Sequence, residues 1–154
     1  MRFFLFSAVL SFFLFLACKP PQKKKTEPVL QGVKGSVMTV EGNQMPRIGA
    51  PAAEPKPYPT TVFFYEPTDL TKVQQWNKGP LFTNIYTKLV MAVDTDSTGT
   101  YIAKLPEGTY SVFVQAGQQF FANQFDIRNN INLVTVEKGK LTELNILVNF
   151  AASY

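Results

Sequence analysis

The stretch from residue 93 to 114 constrains the fold most, because strand signals and tight-turn signals alternate along it. In Asp96-Ser97-Thr98-Gly99, an aspartate side chain can accept backbone N–H groups and a glycine can take a positive φ. A second turn, Pro106-Glu107-Gly108, combines a proline that presets φ with another glycine. Between and beyond these turns, residues such as Tyr110 and Val112 alternate with the period of a β-strand. The stretch therefore predicts three short strands joined by two tight turns.

More strands are predicted on both sides, where β-branched and aromatic residues are frequent. Residues 86–93 are almost continuously apolar, which predicts a strand buried on both faces. The last strand, residues 141–150, alternates and should face the core with Leu144, Ile146, Val148 and Phe150. The other predicted strands are 33–40, 60–66, 120–125 and 133–136. Seven to nine short strands with frequent turns predict an all-β Greek-key sandwich.

Two stretches interrupt this pattern. Residues 45–59 contain five prolines, so no regular element is expected there and an extended surface loop is predicted. Residues 69–76 suit either one helical turn or an irregular excursion. Asn77-Lys78-Gly79-Pro80 should then break the chain before the next strand.

The N-terminus begins with a short cationic start, followed by an apolar stretch over residues 3–17 and then Cys18, the only cysteine. A stretch of that length is short for a membrane span, which needs about 20 apolar residues. The arrangement resembles a bacterial lipoprotein signal peptide, with residues 1–17 removed and Cys18 acylated. This predicts a protein held by its lipid in a bacterial cell envelope, at the outer membrane. A secretory signal cleaved without lipidation is the alternative.

Residues 18–31 form a Lys- and Pro-rich tether, and 32–154 form the folded domain. Most of the net positive charge lies in the signal and the tether, so the domain is close to neutral. The tether lysines can meet anionic lipid head groups or simply remain solvated. The domain lacks the basic face that nucleic-acid binding requires.

The sequence contains no histidine. This removes the usual general base and the commonest metal ligand. With Cys18 acylated, no free thiol remains either, so Ser-His-Asp, Cys-His and His/Cys zinc sites are excluded. We expect no enzyme activity, no cofactor and no metal. A hydrolase built on paired carboxylates such as Asp94 and Asp96 is a further alternative, which would need a deep pocket and a carboxyl with a raised pKa.

Several motifs resemble carboxypeptidase regulatory-like domains, which are transthyretin-like (prealbumin-like) β-sandwiches. The motifs are Gly42-Asn43-Gln44-Met45-Pro46, the Asp-x-x-Gly-x-Tyr pattern ending at Tyr101, and the Leu-Pro-x-Gly-x-Tyr pattern ending at Tyr110. The resemblance covers residues 32–154. It implies an accessory module for stability, spacing or interaction, and not the zinc-dependent catalytic domain of carboxypeptidases, whose ligands include histidine.

Three aromatic residues beside the irregular stretch are candidate ligand contacts: Trp76, Phe82 and Tyr86. Exposed rings there could stack on sugars, and the alternative is that they cap the open ends of the sandwich. Asp94, Asp96 and Ser97 offer oxygen ligands for calcium, although a plain hairpin turn explains them better.

A second chemical candidate is an intramolecular isopeptide bond between Lys34 in the first strand and Asn145 or Asn149 in the last. That reaction needs a buried pair beside a carboxylate, whereas both asparagines should face solvent.

These features predict a non-enzymatic, lipid-anchored envelope module that presents its β-sandwich for protein interaction or structural support. The predicted partners are the membrane, through acylated Cys18, and an envelope protein or a glycan. A surface glycan-binding or adhesion module is the main alternative.

Overall fold

The structure is a computed structural model that describes residues 30–45, 49 and 54–153. Within these residues the chain forms two β-sheets and a two-stranded ribbon, with one short 3-10 helix, Leu70–Lys72. The predicted all-β sandwich is confirmed. The predicted signal peptide, Cys18 and residues 18–29 of the predicted tether lie outside the described residues. In chain order the strands are β1 Gly32–Thr39, β2 Gly42–Asn43, β3 Lys56–Pro57, β4 Thr61–Tyr65, β5 Val73–Trp76, β6 Leu81–Ile85, β7 Leu89–Asp94, β8 Thr100–Lys104, β9 Gly108–Ala116, β10 Gln119–Phe121, β11 Leu133–Val136, β12 Leu141–Glu143, β13 Ile146–Val148 and β14 Ala152–Ser153.

The described residues therefore hold fourteen strands, more than the seven to nine predicted. The additional strands have two to five residues, which is too short for a period-2 pattern to stand out. One of them, β3, lies in the Pro-rich stretch that was predicted to have no regular element. Pro57 is opposite Met38 at the edge of the sheet, where a missing N–H is tolerated.

The smaller sheet is built around β1. On one side β1 pairs antiparallel with β8 and then β3, and on the other side it pairs in parallel with β12 and then β13. The predicted single last strand is wrong, because it is interrupted at Leu144 and Asn145. The backbone N–H of Leu144 still donates to the Lys34 carbonyl, but the next ladder position is taken by the Asn145 side chain, whose Oδ1 accepts from the Ser36 N–H at 3.0 Å.

The larger sheet has the strand order β5-β6-β10-β9-β4-β7, with β11 also paired to β9. The prediction that residues 86–93 form a strand buried on both faces is wrong. The strand begins only at Leu89, and β7 lies at the edge of the sheet, where Leu89 is 44% and Val90 39% exposed. Continuous apolar sequence identifies a strand here but not its position in the sheet.

The main core lies between the two sheets. A single row of paired residues crosses the inner face of the larger sheet, from Trp76 through Leu81, Phe121, Val114 and Val62 to Val93. The middle of this row is fully buried, and its two ends are not. The smaller sheet covers it with residues that include Val33, Val37, Tyr101, Ala103, Ile146 and Val148.

A second core covers the opposite face of the larger sheet and consists mainly of aromatic rings. Phe113 packs edge-to-face on both Tyr65 and Phe82, with ring centroids 5.6 Å apart in each pair. Phe63 and Phe120 form another edge-to-face pair at 5.2 Å. Such pairs contribute about 0.5–1.5 kcal/mol beyond the burial of their area. The larger sheet is therefore covered on both faces over much of its width.

Two irregular segments cover this outer core. The backbone N–H of Ile131, which is fully buried, donates to the Thr68 carbonyl at 2.8 Å. Ser111, in β9, accepts from the Thr68 N–H at 2.9 Å through its hydroxyl. These bonds attach residues 66–72 and 122–132 to each other and to the sheet.

The predicted tight turn at Asp96–Gly99 is confirmed by a hydrogen bond from the Gly99 N–H to the Asp96 carbonyl at 3.0 Å, and at the second predicted turn the chain bends at Glu107. Gly99 takes φ +78°, and a Cβ there would stand 2.3 Å from the Val37 carbonyl oxygen. Neither turn forms a hairpin, because β7 and β9 belong to the larger sheet and β8 to the smaller one. Each turn therefore carries the chain from one sheet to the other.

Candidate interaction surfaces

The β5–β6 hairpin presents the only tryptophan of the sequence. Its turn is made possible by Asn77 and Lys78, which take φ of 51° and 54°. Trp76 pairs with Leu81 and so lies on the inner face of the larger sheet, where its side chain is 51% exposed. The tryptophan is thus at the open end of the row that forms the main core.

The prediction that Phe82 is a ligand contact is wrong. Phe82 follows Leu81 on β6 and therefore points to the opposite face, where it is fully buried in the aromatic core against Phe113. The sequence does not show whether Phe82 is buried or exposed. Neighbouring residues such as Leu81 and Phe82 lie on opposite faces of the strand, and only the fold decides how each face is covered.

Tyr86 is 68% exposed, but the structure does not bring it to Trp76. Its backbone N–H donates to the Lys72 carbonyl at 2.9 Å, just before the start of β5. Trp76 lies at the other end of β5, so about 13 Å of strand separates the two positions. The side chains of Tyr86 and Trp76 therefore do not belong to one surface.

Phe150 was predicted to face the core, yet it is 43% exposed. Its ring lies 6.0 Å from that of Phe121, and Phe121 pairs with Leu81. Leu81 and Phe150 therefore lie beside one buried phenylalanine, and Trp76 lies one strand further along the same row. We call Trp76, Leu81 and Phe150 the Trp76 surface. The alternating pattern of the predicted last strand placed Phe150 on the core face. The strand ends at Val148, so this alternation does not apply to Phe150.

The polar residues beside the Trp76 surface are mostly neutral amides. Asn84 donates to the Gln74 side chain at 2.8 Å across the β5–β6 pair. On the other side, Asn123 donates to Asn149 at 3.2 Å. Lys78 is the only charged residue between Val73 and Thr87. The surface can therefore offer stacking and amide hydrogen bonds with little net charge.

The acidic turn is occupied by its own hydrogen bonds. Oδ1 of Asp96 accepts from the backbone N–H groups of Thr98 and Thr100 at 2.8 and 2.9 Å, and from the Thr98 hydroxyl at 2.6 Å. These bonds hold the pKa of Asp96 below its usual range, with the Thr98 hydroxyl as the largest cause. Asp94 accepts from the Thr61 hydroxyl at 2.6 Å. A hydrolase based on this pair needs a raised pKa, and the pKa shift of Asp96 is in the opposite direction.

Lys34, Glu143 and Asn145 lie together in a shallow depression of about 290 Å³ on the outer face of the smaller sheet. Asn145 donates to Glu143 at 2.9 Å, and Glu143 is opposite Lys34 in the ladder. All three residues are exposed. Formation of an isopeptide bond needs an uncharged amine, and burial favours that form of lysine. Because Lys34 is exposed, this arrangement does not meet that requirement. Asn149, the other candidate, is half-buried and bonded to Asn123.

Among residues 30–45, 49 and 54–153, no group of three or more acidic, histidine or cysteine side chains is arranged to hold a metal ion. In the same part of the chain, no helix has both the length and the apolar character needed to cross a bilayer.

Comparison of the chain with protein-family profiles, with curated proteins and with solved structures found no match.

Proposed function

We propose that this protein is a non-enzymatic, lipid-anchored module of a bacterial envelope, which binds an envelope protein through the Trp76 surface. The observation that carries the proposal is the exposure of Trp76 at the end of an apolar row whose middle is fully buried. Burying that ring and the half-buried Leu81 beside it would extend the core into the partner. Aromatic residues at such positions are frequent sites of strong binding energy in interfaces.

The anchor and tether have a simple role in this proposal. Acylation of Cys18 would hold the domain at the membrane, and several acyl chains on one cysteine bind far more firmly than one. A tether over residues 18–31 would let the domain reach roughly 40 Å from the surface if extended. Confinement at the membrane raises the local concentration of the module around its partner. The resemblance to carboxypeptidase regulatory-like domains agrees with such an accessory role.

A glycan is the second candidate partner, and the neutral amides around the Trp76 surface favour it. Gln74, Asn84 and Asn123 can donate and accept hydrogen bonds with hydroxyl groups, while Trp76 offers a flat apolar ring. This arrangement suits a sugar ring better than a charged ligand.

The anchor is tested by fractionating cells that produce the unaltered protein or Cys18→Ala. We expect the unaltered protein in the membrane fraction and the variant in the soluble fraction. Persistence of Cys18→Ala in membranes would contradict lipid anchoring. Protease treatment of intact and lysed cells then separates a surface-exposed domain from one that faces the periplasm.

The Trp76 surface is tested through the fluorescence of its single tryptophan. Titration with envelope glycan fragments, or with an envelope protein recovered by cross-linking from position 76, should shift or quench this fluorescence saturably. Phe150→Ala should weaken binding about tenfold or more, in the range of a hot-spot residue. Tyr86→Ala is the matched control, because Tyr86 is an exposed aromatic outside the surface. Equal effects of the two substitutions would argue against the Trp76 surface as the binding site.

A further inference from the structure

The second exposed feature of the fold is β7, the edge strand at the far side of the larger sheet from β5. It pairs with β4 on one side, and no other strand of the described residues pairs with it. Edge strands present unpaired backbone groups that can accept another strand. The exposed side chains of Leu89 and Val90 add apolar area at this edge.

The hydrogen-bond pattern identifies which backbone groups are available. The N–H of Thr95 donates to the Thr60 carbonyl at 2.8 Å, so these two residues form a hydrogen-bonded pair. Bonded and non-bonded pairs alternate along an antiparallel ladder. Ala92, opposite Phe63, therefore lies at a non-bonded position, and its N–H and C=O point away from β4. Asp94, opposite Thr61, is also at a non-bonded position, so its N–H and C=O likewise point away from β4.

The irregular part of β7 lies at its other end. The register shifts between Phe64 and Tyr65, opposite Met91 and Leu89. Such bulges commonly protect an edge from pairing. The segment from Met91 to Asp94 lies beyond the bulge and keeps a regular ladder. Met91 and Val93 there pack on the main core but remain half-exposed, so an added strand would complete their burial.

We propose that β7 pairs antiparallel with β7 of a second copy of this chain, across a two-fold axis beside Ala92. The charges of the strand favour this occupant. β7 is preceded by Lys88 at its N-terminal end and finishes at Asp94, with Asp96 two residues later. Antiparallel self-pairing brings the basic end of one copy alongside the acidic end of the other, twice in each dimer. Parallel pairing would place like charges together, which is unfavourable across strands.

The geometry beside the axis is specific. Ala92 of one copy is opposite Ala92 of the other, at a hydrogen-bonded position where the Cα atoms are about 5.5 Å apart. That separation lies within the range of a disulfide bond. At each end of the paired strands, Lys88 of one copy then lies near Asp94 of the other, a spacing that a long side chain can bridge. A pair of short strands buries a small area, so the association should be weak and aided by confinement on a membrane.

Disulfide cross-linking of the full-length chain in the cell fraction that contains it tests this pairing. With a mild oxidant, Ala92→Cys should give a covalent dimer on a non-reducing gel. Gln115→Cys is the matched control, because Gln115 is exposed on β9, an interior strand. The unaltered chain shows how much covalent dimer forms through Cys18 alone. A dimer yield from Ala92→Cys no higher than from Gln115→Cys would overturn the proposal, as would cross-linking only to a different protein.

Charge exchange tests the self-pairing itself. In the Ala92→Cys chain, Lys88→Glu and Asp94→Lys should each lower the dimer yield about tenfold, because each makes both ends of the dimer repulsive. Co-production of the two variants with different tags should restore cross-linking between them, since every end then joins opposite charges. Failure of the mixture to exceed either variant alone would overturn the two-fold arrangement. Neither result depends on the Trp76 surface, which lies at the other edge of the sheet.

Discussion

The hydroxyl of Tyr101 donates a hydrogen bond to the backbone carbonyl of Leu144 at 2.8 Å. Tyr101 lies on β8 and points into the main core, where it is 2% exposed. Burial raises the pKa of its hydroxyl, so the group stays protonated and able to donate. The bond satisfies the carbonyl at which the last strand is interrupted. One buried side chain thus stabilises the break between β12 and β13.

Tyr101→Phe should lower the free energy of unfolding by about 1–3 kcal/mol, because the Leu144 carbonyl would lose its buried donor. Urea unfolding followed by circular dichroism measures this change. Tyr86→Phe is the control, since that tyrosine is largely exposed, and it should change stability by less than about 0.5 kcal/mol. Equal losses of unfolding free energy from the two substitutions would contradict a stabilising role for the Tyr101 hydrogen bond.

Gly35→Ala should be more damaging than its size suggests. A Cβ at Gly35 would stand 1.9 Å from the Leu144 carbonyl oxygen, so the strand break could not keep its close approach to β1. We expect a loss of at least about 2 kcal/mol, as for severe overpacking. Gly79→Ala is the matched control, because the nearest atom there is 3.6 Å away. Thermal melting of both variants compares them, and a stable Gly35→Ala protein would contradict the predicted clash.

Phe113→Ala should cost about 3–5 kcal/mol, because Phe113 is fully buried and contacts both Tyr65 and Phe82. The loss would show that the outer aromatic core contributes to folding and is not a surface layer. Phe125→Ala, at a position that is 44% exposed, should cost far less. Denaturant unfolding distinguishes the two, and similar midpoints would contradict the importance of the outer core.

Stability should fall in acid partly through Asp96. Hydrogen bonds from Thr98 and Thr100 hold its pKa in the folded protein below the unfolded value of about 3.9. A lowered pKa means that the folded state favours the charged form, so this stabilisation is present above the unfolded pKa and is lost as pH falls through the folded one. Asp126, held by Asn130, should behave in the same way.

Carboxyl carbon resonances recorded by NMR between pH 6 and about pH 2 would measure these pKa values directly. We expect the midpoints for Asp96 and Asp126 to lie below those of exposed carboxyls in an unfolded peptide. Asp96→Asn should also flatten the dependence of the unfolding midpoint on pH in the acid range. A midpoint for Asp96 above the unfolded value would contradict the hydrogen-bonded turn.

Local sequence was sufficient for several of the strands and for the turn at Gly99, whereas β2, β3, β5, β6 and β14 were not predicted. Asp96, Gly99 and Gly108 predict their turns because the required backbone angles and side-chain bonds involve residues only a few positions apart. The same reasoning placed β1, β4, β8 and β9 close to their observed bounds. The all-β class followed from these elements, since short strands separated by turns must pack as sheets.

The positions of those strands depended on contacts that are distant in the chain. Phe82 is buried because it faces the outer aromatic core, and Trp76 is exposed on the edge strand β5. β7 is exposed because β4 is the one described strand that pairs with it. The break at Leu144 requires Gly35 and Tyr101, which come from two other strands. Side-chain periodicity specifies which residues share a face, whereas pairing between distant strands decides which face and which edge remain open. The sequence by itself therefore determined the all-β class and several of its strands, and the tertiary structure decided which faces and edges of those strands are exposed.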